Sequence, residues 1–259
     1  MRVRTGRAYD YTVQAALAAL IILAWLALWL WGRSPYGRFL DHESLDRLAA
    51  DHGFLIIFFV AGWTLMTLAM MLPTSFPLVA LFDRLIAGRP DRLRLMALVV
   101  SGYLATWTVF GMIVHLLDWG LHHLVDQSPW LTAHAWVIGA GTLAAAGLYQ
   151  FTPLKYHCLD RCRSPLSFIA EHWQGRCAWL EALRLGVRHG LFCVGCCWTL
   201  MLLMFAVGVG SIGWMLALGA LMAIEKNLPR ARWISRPLGI ALGVGAAAAA
   251  LGAVTLPVH

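Results

Sequence analysis

Cysteine is the residue type whose placement in this chain could do chemistry. All six cysteines of the 259 residues, Cys158, Cys162, Cys177, Cys193, Cys196 and Cys197, fall in one short stretch. Free cysteine is a common buried residue, so one or two would need no explanation. The spacings C-x-x-x-C at 158 and 162, and C-x-x-C-C at 193, 196 and 197, do need one. Either can bring thiolates close enough to share a metal ion or form a disulfide. On a helix, positions 193, 196 and 197 stand at i, i+3 and i+4 and face one way. Cys158 and Cys162 are also i, i+4, with His157 beside them. Thiolates with an imidazole suit Zn(II) or Cu(I). Lys155, Arg161, Arg163 and Arg188 surround these thiols. Positive neighbours favour the thiolate, the form that ligates; the same residues also serve simply to orient a membrane protein.

A second soft-donor pattern lies in the methionines. Met66 and Met70 are i, i+4, and Met201 and Met204 are i, i+3, so each pair shares a helix face. Thioethers select Cu(I), although Met pairs also serve as flexible core filler. The tetrapeptide Trp63-Thr64-Leu65-Met66 recurs as Trp198-Thr199-Leu200-Met201, and further Mets follow each copy. Such an echo is the sign of an inverted repeat, three segments and three, with a last helix added.

The elements that must position these residues are transmembrane helices. The chain is 60% hydrophobic and only 13% charged, about half the charged fraction of a soluble domain. The expected fold class is all-α, a polytopic transmembrane bundle forming a single integral membrane domain. Seven apolar segments approach the ~20 residues needed to cross the hydrocarbon core. They run over about 13–31, 54–82, 95–117, 131–150, 189–209, 211–225 and 237–256. The second contains Pro73 and Pro77, which should bend or end it. Gly208-Val209-Gly210-Ser211 should turn the fifth into the sixth as a hairpin. The Ala- and Gly-rich seventh suits close helix packing.

All but Arg33, Arg38 and Arg47 of the 20 Lys and Arg fall on one side of this seven-span topology. That side should be the cytoplasm. The N-terminus is then inside, the 151–188 loop inside, and His259 outside, in a bacterial inner membrane. The net charge of +7 is accounted for by topology and does not indicate nucleic acid. In the long loop, Trp179, Leu180, Leu183 and Val187 mark one helical face, suited to the membrane surface or to packing within the cytoplasmic part. Asp41, His42, Glu43, Asp51, His52, Asp118, His122, His123 and Asp126 are expected in outer loops, with no compact ligand spacing. Glu225-Lys226 reads as an ion pair snorkelling at the inner interface.

Three blocks of residues carry a family resemblance. The first is Trp63, Met66 and Ala69-Met70-Met71-Leu72-Pro73, followed by Pro77. The second is Tyr149-Gln150, Thr152-Pro153-Leu154-Lys155, Cys158-Leu159, Cys162-Arg163 and Pro165. The third is Gly190, Cys193, Gly195-Cys196-Cys197-Trp198, Leu200-Met201, Trp214-Met215 and Glu225-Lys226. In these the chain resembles a bacterial family labelled "predicted metal-binding integral membrane protein", sometimes "copper chaperone". The resemblance implies a membrane protein that binds metal. Cys177 lies outside the blocks.

These readings lead to a membrane protein that binds and delivers or transports a soft transition metal. Cu(I) is the metal expected first and zinc second. The candidate ligands are Cys158, Cys162, Cys193, Cys196, Cys197, His157, Met66, Met70, Met201 and Met204. Its partners would be the metal ion, the lipid bilayer, and another membrane or metallochaperone protein. No nucleotide, Ser-His-Asp or H-E-x-x-H motif is present, which leans away from an enzyme. Two other readings stay open. C-V-G-C at a helix mouth fits a thiol–disulfide oxidoreductase. A fixed metal in a structural subunit of a larger membrane complex also fits.

Overall fold

The computed structural model describes residues 12–33, 52–207, 212–228 and 232–252. The Gly208–Ser211 turn, Asp41, His42, Glu43, Asp51, His259, and Arg2, Arg4, Arg7, Arg38, Arg47 and Arg230 lie outside the described residues.

The described residues form an all-helical fold with no strand. In chain order the helices are α1 (Thr12–Arg33), α2 (His52–Met70), α3 (Phe76–Leu85), α4 (Arg92–Gln127), α5 (Pro129–Ala133) and α6 (Trp136–Tyr149). Then come α7 (Pro153–Arg163), α8 (Pro165–His172), α9 (Ala178–Val207), α10 (Ile212–Asn227) and α11 (Arg232–Ala250). A 3-10 turn, Pro73–Ser75, separates α2 from α3. Proline fits the first positions of a helix, where its missing N–H is not needed, and breaks one that would run through. Pro73 and Pro77 therefore bend the α2–α3 segment by 45°.

Helices α1, α4, α9 and α11 are long and apolar enough to cross a membrane, and the bent α2–α3 pair would be a fifth. This is fewer than the seven segments read from hydropathy. Helix α6 has only 14 residues, or ~21 Å at 1.5 Å per residue, against ~30 Å of hydrocarbon. Helix α10 has 16. Two further expectations change. Asp118, His122, His123 and Asp126 are not in a loop but on the last turns of the 36-residue α4. Residues 178–188 are not a separate surface helix but the first turns of α9. There Ala182 and Leu185 are buried; of the face read from sequence, Leu180, Leu183 and Val187 are half-buried and Trp179 is exposed.

Helices α4 and α9 lie closely against each other, and glycine makes that possible. A Cβ on Gly186 would stand 2.0 Å from the Val99 carbonyl oxygen, and one on Gly102 would stand 2.5 Å from that of Leu183. Small residues let backbones approach where no apolar drive between helices exists. Helix α11 meets α6 in the same way, with Gly147 against the Gly239 carbonyl. Indole N–H groups tie the rest, since a buried one needs an acceptor. Trp25 donates to the Ala69 carbonyl at 3.0 Å, joining α1 to α2. Trp63 donates to that of Trp107 at 2.7 Å, joining α2 to α4. Arg92 at the start of α4 grips the buried Asp83 of α3 with two hydrogen bonds, of 2.7 and 3.0 Å.

Candidate metal centre

Helix α9 carries a row of donor side chains along one face: His189, Cys193, Cys196, Cys197, Met201 and Met204. Positions three and four apart on a helix stack above one another, and all six of these residues are buried, none more than 4% exposed. Helix α7 begins at Thr152, whose hydroxyl caps the Lys155 N–H, with Pro153 next; both are helix-start residues. That start follows directly on the end of α6, so the chain reverses and α7 lies back over α9. Its Cys158 sulfur rests against Gly195, where a Cβ would stand only 2.6 Å from it. Cys162 packs against the same cluster that holds Cys193, Cys196 and Cys197. Tyr149 donates to the Gly195 carbonyl. The two cysteine groups, more than thirty residues apart in sequence, are thus one cluster.

Within it, Cys196 and Cys197 turn their thiols onto the Cys193 carbonyl, at 3.1 and 3.0 Å. Cys197 also lies 4.0 Å from the thioether of Met71. The Cys193 sulfur accepts a hydrogen bond from the Lys226 ammonium at 2.8 Å and lies 3.0 Å from the Tyr103 hydroxyl. Lys226 also donates to Thr74 at 3.0 Å, and Thr74 in turn donates to the Met71 carbonyl. A buried ammonium needs such partners. Burial pushes the Cys158 thiol above its ordinary pKa, and neighbouring Cys196 adds to the effect.

The methionines complete the sulfur core. Met66 and Met70 from α2, Met71 just beyond it, Met201 and Met204 from α9, and Met215 and Met222 from α10 share one buried cluster with Cys158, Cys193, Cys196 and Cys197. Seven of the chain's 10 Met are therefore here. His157 is the candidate that the structure leaves outside: it is exposed and lies beside Phe192, ring centroids 6.1 Å apart. Cys177 is exposed at the start of α9.

Several contributors were not read as site residues from sequence. Met71, Met215 and Met222 lack a tight Met partner on their own helix that would mark them. Tyr103 comes from α4, and His189 lies one turn before Cys193 on α9. His189 is buried, its Nε2 3.1 Å from the Ser75 hydroxyl, while Nδ1 has no hydrogen-bond partner among the described residues. The largest revision concerns Glu225-Lys226, which do not pair with each other at an interface. Both are buried, and they point to different partners. Glu225 binds Lys155 at 2.8 and 2.9 Å and accepts from Ser235 at 2.6 Å, and Gln150 also contacts Lys155.

Among the described residues no three His, Cys, Asp or Glu side chains stand in a metal-binding arrangement as they lie. Cys196 and Cys197 would have to rotate off the Cys193 carbonyl to face an ion, a change between staggered side-chain positions. The donor chemistry is nevertheless uniform. The atoms gathered are thiol and thioether sulfurs, which suit a soft monovalent ion better than a hard divalent one.

Fold and site together define an all-helical protein with apolar, membrane-length helices and a buried cysteine–methionine core, with Cys162 half-buried at its edge. The chain matches the PpoB2 copper chaperone family over residues 60–249 and belongs to that family. That range contains every sulfur of the core. No curated protein and no solved structure matches the chain.

Proposed function

We propose that this protein is an inner-membrane copper carrier whose cargo is Cu(I), held by cysteine thiolates and handed along the adjoining methionines. The observation that carries the reading is the single buried core in which cysteines from α7 and α9 meet methionines from α2, α9 and α10. Cys162, Cys193, Cys196 and Cys197 would be the primary ligands. Cys158 and the Met66, Met70, Met201 and Met204 thioethers would be donors in transit. Zinc is the less suited ion, because the thioethers that continue the thiol row are poor ligands for it and good ones for Cu(I). His157 is too exposed to join this set as it lies.

The sealed position of the thiols counts against the oxidoreductase reading. Cys193, Cys196 and Cys197 are each at most 2% exposed, and thiol–disulfide exchange needs access to the attacking sulfur. A fixed structural metal is the remaining rival, and the flexible thioethers next to the thiols favour an ion that moves. Protein purified anaerobically and titrated against a Cu(I) chromophoric chelator should take up Cu(I) in stoichiometric amount and prefer it to Zn(II). Loading well below one ion per chain would sink the reading.

The proposed topology keeps seven spans, with α6 extended by α5 and with α10 as short crossings, and a 3+3 inverted repeat relating α2 to α9. Seventeen basic residues would then lie in the cytoplasmic half, Lys155 and Lys226 among them but buried within the bundle. A phosphatase reporter fused after His259 should be active outside the cytoplasm. A fusion active only inside would overturn the seven-span orientation.

A further inference from the structure

The thiol cluster is built from two elements that pack directly on each other, Cys158 against Gly195: α7, with Cys158 and Cys162, and α9, with Cys193, Cys196 and Cys197. Both are tied to the same two residues at the end of α10. Glu225 takes the Lys155 ammonium of α7 on both carboxylate oxygens, at 2.9 and 2.8 Å. Lys226, the next residue, reaches the Cys193 sulfur of α9 at 2.8 Å. Successive residues of a helix point about 100° apart, so one dipeptide can hold two different neighbours. All of this is out of solvent: Lys155 is 0%, Glu225 2% and Lys226 6% exposed. Gln150 and Ser235 bring the end of α6 and α11 to the same carboxylate–ammonium pair.

From this geometry we propose that Glu225-Lys226 is a clasp that sets the two halves of the thiol site in register, Glu225 through Lys155 and Lys226 through Cys193. Neither Lys155 nor Glu225 touches a sulfur, so they are positioning residues. Buried ion pairs are poor sources of stability compared with apolar pairs of similar size. Holding geometry is the better account of this one. Its link to metal rests on the copper reading above; its geometric part does not.

The test uses the full chain with Cys158, Cys177 and Cys197 as serine, leaving Cys162 on α7 and Cys193 and Cys196 on α9, so that the Lys226–Cys193 contact stays in place. Mild oxidation with diamide should link Cys162 to α9 in the parent, read by peptide mapping. In Lys155→Met/Glu225→Leu, which removes both charges so that folding survives, the yield should fall about tenfold while the protein stays monodisperse. The exchanged pair Lys155→Glu/Glu225→Lys should recover much of the yield, and Lys155→Glu alone should not. In the all-cysteine background the apolar variant should bind Cu(I) about 10–100-fold more weakly, the usual effect of losing an outer partner of a metal site. The apolar variant crosslinking as well as the parent overturns the clasp. A crosslinking loss with no Cu(I) uptake by the parent leaves the clasp standing and removes the copper reading.

Discussion

Replacing Cys162, Cys193, Cys196 and Cys197 together by serine should lower Cu(I) affinity by more than ~100-fold, beyond what loss of an outer-shell partner produces. Sulfur is soft and holds Cu(I); a serine hydroxyl is hard and does not. The substitution is close to isosteric, and a hydroxyl can still donate to the Cys193 carbonyl position as the thiols of Cys196 and Cys197 do now. Loss of binding should therefore come without loss of the fold. Cys177→Ser is the matched control, because Cys177 is exposed and apart from the cluster. It should leave loading unchanged. Competition against a Cu(I) chelator of known affinity reads both. Full loading of the four-serine variant would remove the cysteines from the function.

Gly186→Leu should nearly abolish recovery of folded protein. A Cβ at this position would lie 2.0 Å from the Val99 carbonyl oxygen and 2.9 Å from its carbon. Those are backbone atoms of α4, so no side chain can swing aside to make room. Overpacking a core that can relax costs ~1–3 kcal/mol, and here the two helices themselves must part. Parting them also draws Tyr103 of α4 away from Cys193 of α9, which now lie 3.0 Å apart. Gly141→Leu is the control, since Gly141 has open space around its Cβ position. Size-exclusion recovery in detergent and the thermal midpoint measure the difference. Equal midpoints for the two variants would show that α4 and α9 do not meet as described.

The part of the site legible in sequence is the part encoded by local spacing. Cys193, Cys196 and Cys197 face one way because 3.6 residues make a turn. The Met66/Met70 and Met201/Met204 faces were readable for the same reason. The bend near Pro73 needed only proline's missing donor. What local pattern does not encode is which distant charge a residue meets. Glu225 and Lys226 are neighbours of opposite sign, so sequence pairs them with each other, whereas the fold sends one to Lys155 and the other to Cys193. His157 misled in the opposite sense. It is adjacent to a cysteine in sequence, yet a helix turns adjacent residues about 100° apart. Where an apolar stretch is interrupted, as when α5 and α6 divide 129–149, neither helix reaches spanning length by itself, so hydropathy and helix length count differently there.

The depth at which the sulfurs lie bears on time as well as on affinity. Cys193, Cys196, Cys197, Met201 and Met204 are all 2% exposed or less, so no acceptor molecule can touch an ion among them while the helices stay as they are. An ion held there could depart only when α7 lifts or the bundle opens, a motion of the microsecond-to-second class. Its residence time would then be set by the protein's own opening rate. Adding more acceptor would speed release only up to that rate and no further. Tight holding and prompt delivery would be adjusted separately, the first by the sulfurs and the second by whatever loosens the helices around them.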